Sequence, residues 1–131
     1  MTVLAAGTAF LCPEDWEGGR HLWVVISDPA ASGDVLIANE STIKGLASDD
    51  LSCVLEPGDH PFVNARSCVR YDRCRVLTKR FLESKLDTDT RFIRQPVVDG
   101  ELLSRIRRAC SRAPMIEPRF RAMMRGQGLA P

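Results

Sequence analysis

The chain has 131 residues, 44% hydrophobic and 27% charged, the length and balance of one folded domain and not of a disordered tail. No apolar run approaches the roughly 18 residues that cross a bilayer, and the apolar opening Met1–Cys12 lacks the basic start of a signal peptide, so the expectation is a cytoplasmic protein off the membrane. The net charge of +1 hides a split between ten Asp/Glu against two Lys/Arg in residues 1–65 and seven against sixteen in residues 66–131, which implies an anion-binding face, docking of two oppositely charged parts, or both.

Up to about residue 77 the pattern is short strands between turns. Val3–Cys12 is apolar, interrupted at Gly7-Thr8, and the loop Pro13–Gly19 ends in paired glycines that permit close backbone approach to a ligand. His21–Ser27 has the β-branched and aromatic composition of a buried strand, with Trp23 in the core. Asp28–Gly33 turns the chain into a second buried run, Asp34–Asn39. Glu40–Asp50 reads as a surface excursion, Leu51–Leu55 as a strand, Glu56–Asp59 as a turn, and Pro61–Asn64 with Ser67–Val76 as the last strands. This spacing suggests a small, highly curved sheet or barrel.

From Leu77 the period changes. Thr78 is placed to cap a short helix with Phe81 and Leu82 inward. Asp99 or Gly100 starts a second helix with Leu102, Leu103, Ile106, Ala109 and Cys110 on one stripe. Pro118 and Gly126 frame a third. The expected class is therefore mainly β with a helical extension (β+α), divided into a barrel over 1–86 and a basic helical extension over 87–131 that packs on it.

Five cysteines (12, 53, 68, 74 and 110) contain no CxxC pair and read as reduced, buried thiols. A mixed metal site from Cys53, His60, Cys68 and Cys74 is the weaker alternative. No metal or cofactor is expected.

Four stretches carry a family likeness: Gly7-Thr8; Gly18-Gly-Arg-His-Leu-Trp-Val-Val-Ile-Ser27; Val35-Leu-Ile-Ala-Asn-Glu-Ser-Thr42; and Ser67-Cys-Val-Arg-Tyr71 with the arginine-rich strand that follows, leading to the helix near Phe81. In order and spacing they resemble the PemK/MazF toxins over roughly residues 5–86. That resemblance implies a small SH3-like barrel, a homodimer, an antitoxin partner, and metal-independent cleavage of single-stranded RNA through a 2′,3′-cyclic phosphate. The family's arginine falls on Arg20 and its threonine on Ser41 or Thr42. The sequence departs from the family at His21, where proline is usual, in the reversed order Ser41-Thr42, and at Asn39-Glu40.

The residues themselves supply a chemistry. Transfer of a phosphoryl group to a neighbouring hydroxyl needs a base, an acid and positive charge on the phosphorane. Arg20 after Gly18 and Gly19 suits the charge, its fork holding two phosphate oxygens. Ser41 or Thr42 would contact phosphate. His21 and His60 are the only two histidines, so one of them carries the proton. Arg70, Arg73 and Arg75 on the last strand would track phosphates while Tyr71 stacks a base, unless they form a solvated face. Absent cleavage, the same barrel would be a nucleic-acid or protein adaptor. The nine arginines of residues 88–131, with no lysine among them, grip RNA, dock the arm on the acidic barrel, or fill an antitoxin groove; the apolar stripe of the second helix favours docking.

Overall fold

The computed structural model describes residues 1–13 and 21–131. Among these residues six strands make one antiparallel sheet: β1 (Ala9–Leu11), β2 (Leu22–Val25), β3 (Asp34–Thr42), β4 (Val54–Leu55), β5 (Ser67–Thr78) and β6 (Ile93–Gln95). Their order across the sheet is β4-β5-β3-β2-β1-β6. With three helices, α1 (Lys79–Thr88), α2 (Gly100–Ala109) and α3 (Pro118–Gly126), the protein is mainly β, a curled half-barrel.

The curl has a local cause. Ile37 pairs with Arg75 but Asn39 pairs with Arg70, so β5 spends Tyr71–Cys74 opposite the single residue Ala38. Extra residues on one strand bend it and increase its twist. The bulge also reverses the alternation of faces. Before it Val69 and Tyr71 face one core, whereas after it Cys74 does so and Leu77 faces the other.

Both sides of the sheet are covered. On one, Leu22, Val24, Leu36 and Val69 meet α2 and α3 through Leu102, Leu103, Ile106, Phe120 and Met124. On the other, Phe10, Trp23, Val35 and Ile37 pack with Leu82 of α1 and with Leu4 and Phe92. Burying each such side chain contributes about 1.5–3 kcal/mol. The N-terminus is strapped along α1, Thr2 N–H donating to both Asp87 carboxylate oxygens at 2.8 and 3.0 Å.

The caps follow from the sequence. Thr78 Oγ1 accepts from Phe81 N–H at 3.1 Å, and Asp99 Oδ1 accepts from Leu102 N–H at 2.8 Å, satisfying amides that no helical carbonyl reaches. Leu82 is buried as expected, but Phe81 remains 38% exposed. Three boundaries also differ. β3 runs on through Glu40–Thr42, Pro61–Asn64 forms a turn and loop and not a strand, and residues 93–95 give the sheet a sixth strand beyond residue 86.

Candidate functional site

The continuation of β3 matters for chemistry. Side chains alternate along a strand, so Glu40 and Thr42 share one face while Ser41 takes the other. Thr42 pairs with Ser67 and Glu40 with Val69 across β5. A cleft of about 530 Å³ opens here, lined by His21, Glu40, Thr42, Ser67, Gln95 and the 61–64 loop. Of the two hydroxyl candidates, Thr42 lines the cleft; Ser41 is 9% exposed and sits opposite Cys68.

Glu40 is 6% exposed. Behind it the core leaves a void of only about 10 Å³ among Leu22, Val24, Leu55, Leu102 and Ile106, room for one water at most. Burial raises its pKa above the ordinary carboxylate range, against smaller opposing effects from the Ser67 hydroxyl and the nearby His60 ring. Burial outweighs both. Ser67 has one hydroxyl proton, already 2.8 Å from Ala65 O. Both nitrogens of the His60 ring meet backbone: Nδ1 accepts from Phe62 N–H at 3.1 Å, and Nε2 lies 2.6 Å from Pro96 O. With both ring nitrogens spent on backbone, His60 fixes its own turn and is not free to shuttle a proton.

His21 is different. Half-buried just before β2, it lines the cleft with neither ring nitrogen in a described hydrogen bond. Burial lowers its pKa, and the charges of Arg73, Lys44 and Arg70 lower it further. The cleft thus holds an imidazole biased toward its neutral, accepting form and a carboxyl biased toward its protonated, donating form. Opposed shifts of this kind are how a site divides base from acid.

The remaining expected residues scatter. Gly18, Gly19 and Arg20 lie outside the described residues, as does the aromatic Trp16. Tyr71 cannot stack a base: its ring is 1% exposed and its hydroxyl donates to Ile106 O at 2.7 Å, because the strand turns it into the core. Arg70 is forked onto Asp72 at 2.9 and 2.7 Å, which holds Asp72 below the usual carboxylate range. Arg73 and Arg75 border a separate groove with Glu117 and Arg119. The five cysteines are buried free thiols, and among the described residues no three His, Cys, Asp or Glu side chains converge as metal ligands.

The arginines of the C-terminal segment grip backbone more than acids. Arg105 donates to Val54 O at 2.6 Å, Arg107 to Ile26 O at 2.8 Å and Arg112 to Ser52 O at 3.1 Å. Arg121 reaches Cys110 O and Ala113 O. The planar, multiply donating guanidinium suits such bonds better than an ammonium does. Among the described residues, ion pairs between the acidic and basic halves are few: Arg66 with Glu56, and Arg105 with Asp59 at 3.4 Å.

Glu40 escaped sequence reading because a charged residue after Asn39 resembles the start of a loop. The signal was its phase, two residues beyond Ala38 on the inward face. No family model matches the chain, and no curated protein matches it either.

Proposed function

We propose that this half-barrel is of the SH3-like toxin type and that its cleft cleaves single-stranded RNA without a metal ion. The observation that carries the reading is the pairing, in one cleft, of His21 with a lowered pKa and Glu40 with a raised one. His21 takes the proton of the ribose 2′-OH, and the 2′-oxygen attacks the adjacent phosphorus. The P–O5′ bond breaks as Glu40 gives its proton to the leaving 5′-oxygen. The products are a 2′,3′-cyclic phosphate and a 5′-OH, with one proton moved from substrate to His21 and one from Glu40 to product. Thr42 contacts the phosphate, and Arg20, carried over from the family resemblance, stabilises the phosphorane. A cytoplasmic homodimer restrained by an antitoxin belongs to the same reading.

The test is digestion of end-labelled RNA in EDTA. Fragments ending in a cyclic phosphate, abolished by a 2′-deoxy substitution at the scissile nucleotide and by His21→Gln or Glu40→Gln, support it. Intact RNA across a substrate pool of every short sequence, with no growth arrest on expression, overturns it. The adaptor reading then stands, favoured by one observation: Arg70 and His60 already spend their polar groups within the protein.

A further inference from the structure

Beyond the cleft, α2 and the turn after it present Arg105, Arg108 and Arg112 at helical spacing, on the same face of the protein. They line a groove of about 570 Å³ whose other wall is the 51–54 segment. Two of the three are anchored: Arg105 by Val54 O and Asp59, Arg112 by Ser52 O. Each guanidinium has five N–H donors, so these bonds leave several unused. Anchoring also fixes the side chains before any ligand arrives, which reduces the ordering cost of binding. Arg108 stands between them, exposed, with no protein partner among the described residues. Asp59 is the one carboxylate paired with the trio among the described residues. That leaves a clear excess of positive charge in the groove.

We infer that this groove is a second anion site, built to hold phosphates of a single-stranded nucleic acid. Its position gives the strand a route. Asp59 meets Arg105, and Pro61 and Phe62, two and three residues on, line the catalytic cleft. One short turn therefore separates the two. Groove binding does not depend on cleavage; only the assignment of the groove to the flank of a scissile strand rests on the nuclease reading.

The probe is a fluorescent 2′-deoxy oligonucleotide of about twelve nucleotides, which the proposed chemistry cannot cleave, titrated with protein at several salt concentrations. Arg108→Ala is the informative variant because it removes no described intramolecular bond, and Arg80→Ala on α1 controls for net charge. The expected result is a three- to tenfold loss of affinity at low salt and a log–log salt slope shallower by about 0.7, as for one lost phosphate contact on a single strand. Arg80→Ala should leave both unchanged. Equal effects of the two variants, or none, overturn the proposal. So does Arg108-dependent binding of polyglutamate with no binding of the oligonucleotide, which would assign the groove to an acidic protein partner. Arg108-dependent oligonucleotide binding by a protein that cleaves no RNA keeps the groove and removes the nuclease.

Discussion

Tyr71 and Ile106 are joined across the core by a 2.7 Å hydrogen bond from the phenol to the helix carbonyl. The bond ties the bulge of β5 to the middle of α2, and burial raises the phenol's pKa far above its ordinary value. Tyr71→Phe keeps the ring and removes the phenol's bond to this carbonyl, which the Cys110 thiol approaches at 3.5 Å. An acceptor stripped of its partner in the interior costs about 1–3 kcal/mol. Urea unfolding of the variant should show a loss of that size with an unchanged slope.

The cleft predicts a pH signature. In the proposed mechanism, cleavage needs His21 unprotonated and Glu40 protonated, so the rate should be bell-shaped in pH. Glu40→Gln and His21→Gln should each remove one limb and lower kcat by roughly 10²–10⁴. Glu40 also links pH to stability. Its folded pKa is raised, so its contribution is complete below the unfolded carboxylate value and declines as pH rises through the folded value. The stability of Glu40→Gln relative to the parent should therefore increase toward neutral pH, as read by thermal unfolding across a pH series.

All five thiols have raised pKa values, with burial the leading cause for each, and Cys12 and Cys110 reach about 12. Thiolate is the reactive form. Ellman's reagent should thus react slowly with native protein at pH 8 and rapidly with all five thiols in guanidinium chloride. A fast native fraction would contradict the buried arrangement.

Gly7 binds two segments at once, its N–H donating to Val25 O at 2.8 Å and its carbonyl accepting from Val98 N–H at 2.9 Å. Its φ is +88°, and an added Cβ would sit 2.9 Å from Val98 O. Gly7→Ala should cost about 1–2 kcal/mol from the left-handed backbone alone, with the clash in addition. A melting temperature equal to that of the parent would refute this account.

Much of the fold was readable because apolar phase and capping chemistry act locally. Thr78, Asp99 and Pro118 mark their helix starts through bonds or backbone angles that depend on few residues. The stripe from Leu102 to Cys110 is buried as its spacing requires. The site was less readable because it depends on register. Period two alone places Arg73 and Arg75 on one face and cannot anticipate the bulge that begins at Tyr71. A histidine in a turn reads as a proton carrier, but Phe62 N–H and Pro96 O engage both nitrogens of His60, contacts that sequence does not show. β6 is three residues of mixed polarity, Ile93-Arg-Gln95, visible as a strand only once β1 is there to pair with it.

The bonds from Arg105 and Arg112 have one further consequence. They occupy Val54 O, in β4, and Ser52 O, two residues before it, and β4 is the outermost strand on that side of the sheet. A carbonyl that already accepts from a guanidinium is a poorer template for another chain. The opposite border, β6, pairs with β1 alone among the described residues. Among the described residues, lateral growth of the sheet is thus less hindered at β6 than at β4. Two molecules meeting border to border through β6 would use up that edge in both, leaving the guanidinium-blunted β4 border as the remaining end of each sheet.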